Sequence, residues 1–154
     1  MTDIVPAQKR SEMMSGIRAK NTKPELVVRS FLHATGFRFR LHRKDLPGKP
    51  DIVLPKWRTV IFVHGCFWHG HENCHLYRLP KSRTEFWRDK IEGNRRRDEL
   101  ARVRLREAGW KILVVWECAL RGKNKDTSWQ KKLENSLVSP NLAEHQISGI
   151  RKIW

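Results

Sequence analysis

Nine consecutive residues, Cys66-Phe67-Trp68-His69-Gly70-His71-Glu72-Asn73-Cys74, hold two thiols and two imidazoles, with His64 just before them and His75 just after. Structural zinc takes four such ligands in a closed tetrahedron. Cys66, His71 and Cys74 supply three of them from a loop short enough to wrap one ion. The fourth must come from elsewhere, and Cys118 is the one cysteine left. On spacing alone, His69 or His75 serves as well as His71. The competing reading is three buried, inert thiols, but an odd count so close to several histidines favours metal over a disulfide framework.

A second group combines Asp51, His64 and His69. Asp51 closes the Gly/Pro turn Leu46-Pro47-Gly48-Lys49-Pro50 and opens an apolar run. A carboxylate there can hold Mg²⁺ against a phosphate, although an Asp in that position is also a common turn residue. His64, at the exit of a neighbouring apolar run, and His69 strengthen the first reading. Phosphodiester hydrolysis needs an activated water, an acid for the departing oxygen and a cation to absorb charge. Glu25 is a candidate for orienting a histidine, and equally for the fourth position of a capping box. Aromatics set among cations form a third group: Phe67 and Trp68 in the loop, and Phe86 and Trp87 beside Arg83, Arg88 and Lys90. Such rings unstack and kink a duplex. For Phe86 the core is the stronger alternative; Trp68, between the ligands, is expected outside it.

The elements that must position these groups follow from periodicity. Thr22-Lys23-Pro24-Glu25 opens a helix with apolar Leu26, Val27, Phe31 and Leu32, closed by Gly36. Phe37 to His42 alternates as a half-buried strand does. Strands are expected at Asp51 to Leu54 and Thr59 to Val63, with Pro55 to Arg58 as the turn between them; Thr59 to Val63 is apolar enough to be central. The Ser82/Glu85 pair predicts the start of a long basic helix toward Ala108, open to interruption at Gly93-Asn94 and ended by Gly109. Trp110 to Trp116 is a second central strand, and Asp126 caps a last helix carrying Trp129, Leu133 and Leu137. The order predicts an α/β fold, a mixed central sheet flanked by helices. Residues 1–20 read as an arm with a weak helical signal (Met13, Met14 and Ile17), and 21–154 as one domain.

The chain has 154 residues, with 32 Lys and Arg against 16 Asp and Glu, for a net charge of +16. That excess favours a polyanionic partner, because cations that neutralise phosphates release counterions. No apolar run approaches the ~20 residues that span a bilayer and no signal-peptide core follows Met1. The expected setting is cytoplasmic, with no membrane partner.

Four strings then stand out: Leu-Pro-Gly-Lys-Pro-Asp-Ile-Val-Leu, Val-Ile-Phe-Val-His-Gly-Cys-Phe-Trp-His, Arg-Thr-Glu-Phe-Trp and Val-Val-Trp-Glu-Cys-Ala-Leu-Arg-Gly. They run in order from about Ser11 to Gly122 and closely resemble the very short patch repair (Vsr) endonucleases. The resemblance implies a three-layer, restriction-endonuclease-like fold with a structural zinc site. It implies a DNA repair hydrolase, an Mg²⁺-dependent nickase cutting 5′ to the T of a T·G mismatch left by 5-methylcytosine deamination. Asp51 and the main-chain carbonyl of Val63 would hold Mg²⁺, His64 and His69 would be catalytic with Glu25 in support, and Cys66, His71, Cys74 and Cys118 would hold Zn²⁺. Phe67, Trp68 and Trp87 would wedge into the duplex, and residues 1–20 would clasp it from the other groove. The implied partners are mismatched double-stranded DNA and, functionally, a cytosine-5 methyltransferase; the implied form is a bacterial monomer on the nucleoid when acting. Phe62-Val63-His64 stands where the wider nuclease superfamily has an acidic-x-Lys motif, so the histidines would share the lysine's role. Two competing readings are a restriction-type nuclease cutting paired DNA and a zinc-built DNA-binding module without catalysis.

Overall fold

The computed structural model describes residues 21–121 and 127–149. Residues 1–20 and Asp126, expected as an arm and a helix cap, lie outside this range. Helix α1 (Lys23–Ala34) starts as expected: the Thr22 side chain accepts from the Glu25 N–H and Pro24 occupies the first turn. Its inner face differs from the apolar reading. Glu25, Val28 and Leu32 are buried, whereas Leu26 and Val27 are 44% and 39% exposed. A carboxylate sits inside because polar partners wait for it there, as described below.

The strands are β1 (Arg40–Leu41), β2 (Ile52–Leu54), β3 (Thr59–His64), β4 (Lys111–Trp116) and β5 (Glu144–Ile147), and they form one sheet in that order. β1, β2 and β3 pair antiparallel, while β3, β4 and β5 pair parallel. The expected strand from Phe37 to His42 shrinks to two residues, because Phe37 and Phe39 pack into the core rather than against a partner strand. A 3-10 turn, Pro55–Trp57, links β2 to β3, and Arg58 takes a left-handed conformation. Helix α2 (Thr84–Glu107) makes the crossover to β4. It runs through Gly93-Asn94 without a break. The Ser82/Glu85 box does not form; the Thr84 hydroxyl donates instead to the carbonyls of Pro80 and Lys81. A short α3 (Glu117–Leu120) and α4 (Ser128–Val138) follow β4.

Alternation along the central strands gives each face its own core. Ile61, Leu113 and Val115 meet Val28 and Leu32 of α1 and Trp129, Leu133 and Leu137 of α4. Val60, Phe62, Ile112, Val114 and Trp116 meet Leu105 of α2 and all three cysteines. The result is a mixed five-stranded sheet with helices on both faces, an α/β architecture. Strand β5, not expected from the sequence, extends the parallel part. Among the described residues no helix is long and apolar enough to cross a membrane.

Candidate active site and metal centre

The loop between β3 and α2 holds most of the candidate residues, and α2 holds the loop. Asn94 donates its side-chain N–H to the Trp68 carbonyl at 2.8 Å, and Arg95 Nε donates to the Gly70 carbonyl at 3.1 Å. Gly70 is required at this contact: its φ is +59°, and a Cβ there would lie 2.6 Å from Ile91 Cγ2.

Cys66, His71, Cys74 and Cys118 are all buried, and their ligand atoms lie within 4.8 Å of one another. Of the three histidines that spacing left open, His71 is therefore the one beside the thiols; His75 is exposed and His69 is engaged elsewhere. The Cys118 N–H donates to Cys66 Sγ at 3.4 Å and the Gly149 N–H to Cys118 Sγ at 3.3 Å. His71 stacks on Trp116 with centroids 3.9 Å apart. A hydrogen bond from Cys66 holds the Cys118 thiol down to about 4, while the same bond pushes Cys66 up. Burial pushes Cys74 up. Three cysteines and one histidine converging this closely, with backbone N–H groups aimed at sulfur, form a possible Cys3His metal site.

Of the second group, His69 lines a cleft of about 810 Å³ together with Val63, Trp68, Lys90, Asp98 and others. Asp51 Oδ2 accepts from the Val63 N–H at 2.8 Å. Burial pushes the Asp51 carboxyl up to about 7; the Val63 N–H opposes this, and the neighbouring Glu25 carboxylate adds to it. Glu25, 1% exposed, accepts from the Asn21 N–H at 3.1 Å and faces Arg29 at 3.3 Å and His42 Nε2 at 3.0 Å. Half of the capping box forms, Thr22 accepting from the Glu25 N–H, while the Glu25 side chain turns to Asn21, Arg29 and His42 instead.

His64 and His69 stack face to face, with centroids 3.7 Å apart and planes 3° from parallel. His69 Nδ1 lies 2.6 Å from Asp98 Oδ2 on α2. With Nδ1 donating to that carboxylate, a neutral His69 keeps the lone pair of Nε2. Burial, and then the His69 charge, hold His64 well below the usual imidazole value, so it is neutral at ordinary pH. His64 Nδ1 is buried without a hydrogen-bond partner among the described residues.

Phe67, Trp68 and Trp87 form an edge-to-face cluster with centroids 5.3–5.8 Å apart, all three half-buried. Phe86 is 45% exposed rather than core, with the Arg83 guanidinium 4.4 Å from its ring. Lys90 Nζ sits 5.8 Å from the Trp68 ring. The sequence reading missed two members of the site. Asp98 read as one more charge on a solvated helix face, and His42 as the polar phase of a strand. Both earn their positions only through long-range packing.

A half-buried carboxylate at a sheet end, stacked histidines and an aromatic-cationic cleft rim are groups that a phosphodiester nuclease can use. The comparisons with known proteins narrow that class. Residues 2–76 match the family described as DNA mismatch endonuclease Vsr. The type II nicking enzyme V.XorIIP of Xanthomonas oryzae pv. oryzae is 56% identical over 120 residues, 78% of this chain and 88% of that protein. The type II nicking enzyme V.NmeAIP of Neisseria meningitidis is 51% identical over 123 residues, 80% of this chain and 87% of that protein. The DNA mismatch endonuclease Vsr of Escherichia coli is 45% identical over 136 residues, 87% of this chain and 86% of that protein. The chain belongs to the Vsr family of DNA mismatch endonucleases, and it is a DNA endonuclease of mismatch repair. A zinc-built binding module without catalysis is no longer a reading of it.

Proposed function

We propose that this endonuclease nicks one strand on the 5′ side of the T in a T·G mismatch of the kind that 5-methylcytosine deamination leaves, with Mg²⁺ as its catalytic ion and Zn²⁺ as a structural one. The reading also takes the fold as restriction-endonuclease-like and 21–154 as one domain preceded by a DNA-clasping arm. It takes the protein as a cytoplasmic bacterial monomer whose substrate follows from the action of a cytosine-5 methyltransferase. The observation that carries it is one cleft: His69 and the Trp68 ring line it together with Val63, whose N–H donates to the Asp51 carboxylate.

The donor sets fit the two ions. Asp51 is half-buried beside a second carboxylate; desolvation and then that carboxylate raise its pKa, and a bound dication relieves the repulsion. The Asp51 carboxylate and the Val63 carbonyl would hold Mg²⁺, oxygen donors suited to a hard cation. When bound, that ion supplies charge neutralisation at the phosphate and acidifies water. Cys66, His71, Cys74 and Cys118 would hold Zn²⁺, tying the loop to the end of β4.

The chain's own groups divide the remaining work. Asp98 fixes His69 with Nδ1–H toward the carboxylate, so that Nε2 is free to take a proton from the attacking water. His64, neutral and stacked on His69, donates a hydrogen bond to a phosphate oxygen or the departing oxygen. Glu25 supports Asp51 from α1. Phe67, Trp68 and Trp87 enter the duplex beside the mispair. A wobble pair is already poorly stacked, so the insertion costs less there than at a Watson–Crick step.

The test separates binding from chemistry. His69→Ala and Asp51→Asn should each lower nicking of a T·G duplex by about 10²–10⁴-fold while mismatch binding in gel shifts stays intact. Loss of binding together with nicking would remove the assigned roles.

A further inference from the structure

The neighbourhood of Asp51 holds a group that this mechanism does not use. His42 directly follows β1 and has a left-handed backbone, with φ of +48°. A β-region residue would continue the strand, so this conformation is costly for a residue with a Cβ. It is held by two contacts that reach different carboxylate-bearing residues. The His42 main-chain N–H donates to the Asp51 carbonyl at 3.2 Å. Its Nε2 lies 3.0 Å from Glu25 Oε1 and 3.1 Å from Glu25 Oε2. The side chain is 21% exposed and that of Glu25 only 2%, so the imidazole lies on the solvent side of the carboxylate.

Ligand atoms of Glu25, His42 and Asp51 all lie within 4.8 Å of one another. Two ionised carboxylates this close repel, and the hydrogen bond that joins Asp51 to Glu25 needs a proton on one of them, which a bound dication displaces. Arg29 and the Asn21 N–H tie Glu25 to its own helix. His42 joins it to the main chain at Asp51 through a contact that survives when both carboxyls are ionised.

We propose that His42 is a positioning residue for the catalytic cation: it clamps Glu25 against Asp51 and so pre-forms the carboxylate pair that receives the dication. The proposal rests on the reading of Asp51 as the metal-binding carboxylate. Groups that orient metal-binding carboxylates govern affinity nearly as strongly as the ligands themselves. The role needs an N–H donor at the reach of Nε2 and does not need an imidazole. A glutamine amide meets that requirement and an alanine does not.

The experiment uses the full chain in complex with a pre-nicked T·G duplex, so that no turnover occurs. Mn²⁺ is titrated in and free Mn²⁺ is followed by its EPR signal, with Asp51→Asn and duplex alone as controls. His42→Ala should weaken the Asp51-dependent Mn²⁺ binding by about tenfold, while affinity for the duplex measured without divalent ions is unchanged. His42→Gln should restore most of the Mn²⁺ affinity. In parallel, the Mg²⁺ concentration for half-maximal nicking should rise in His42→Ala and return toward normal in His42→Gln. Mn²⁺ binding unaltered in His42→Ala would overturn the proposal, and so would a loss that glutamine does not repair. If Asp51→Asn itself leaves Mn²⁺ binding unaltered, the underlying metal reading fails instead, and the clamp falls with it.

Discussion

Asp51 pays for its position in the metal-free protein. Its carboxyl is raised to about 7 by burial, with Glu25 adding to the rise. A carboxyl whose folded value exceeds its unfolded one contributes stability that is full below about pH 4 and is lost as pH rises through about 7. Asp51→Asn should therefore raise the Tm of the Mg²⁺-free protein at pH 8 and leave it nearly unchanged at pH 4. Equal shifts at both pH values would show that Asp51 is not strained by its charge. His64 has the opposite sign: its folded value is depressed, so its contribution is present above about pH 6.5 and is lost as pH falls. The two opposing slopes overlap near neutrality. Nicking, which needs Asp51 ionised, should rise with pH through that range until saturating Mg²⁺ displaces the proton.

Asp98 acts at the same scale, through His69. Asp98→Asn keeps the side-chain shape but offers an amide where a carboxylate accepted a 2.6 Å hydrogen bond. The imidazole then loses the partner that fixed its tautomer. A loss in nicking of about 10–100-fold, smaller than that of His69→Ala, is expected at saturating substrate. Matching losses in both variants would instead assign Asp98 a direct part in the chemistry.

At the scale of elements, the loop after β3 functions because α2 grips it. Gly70→Ala combines a left-handed φ with a clash against Ile91 and the Arg95 side chain that donates to the Gly70 carbonyl. It should cost about 1–2 kcal/mol from the backbone alone and displace Trp68 and His69 together. A lower Tm accompanied by lower T·G discrimination is the expected result; a Tm drop with unaltered discrimination would uncouple the grip from the wedge. Much of this level was legible in the sequence. The central strands announced themselves as apolar runs, and the His/Cys loop carried its chemistry within one short stretch. Strand β5 did not, because Glu144-His145-Gln146-Ile147 has one apolar residue and owes its pairing to the exposed edge of β4. Nor did the unbroken α2: Gly93 costs about 1 kcal/mol in a helix, which docking on β4 and on the loop outweighs. The inner face of α1 was misread for a related reason, since no hydropathy pattern places a buried glutamate. Asp98 and His42 stayed hidden because their partners lie 29 and 17 residues away along the chain.

For the whole molecule, the Cys3His cluster and the charge are the main variables. The Cys3His cluster joins the loop after β3 to the end of β4 through buried groups. Cys118→Ser, or removal of the ion by a strong chelator, should lower the Tm by well over 5 °C and abolish stoichiometric zinc in the purified protein. An unchanged Tm with no zinc bound would reduce the cluster to a packed core. The net charge of +16 makes binding to any duplex salt-dependent, so mismatch preference has to be compared at one fixed ionic strength.

The central claim is tested most directly with two end-labelled duplexes that differ only in carrying T·G or C·G at one position, prepared in a small panel of flanking sequences. The account predicts a single nick, confined to the T strand on the 5′ side of the mismatched T, dependent on Mg²⁺ and abolished by EDTA. Equal cutting of both duplexes, or cleavage of both strands, would contradict it and make the protein a nuclease of paired DNA.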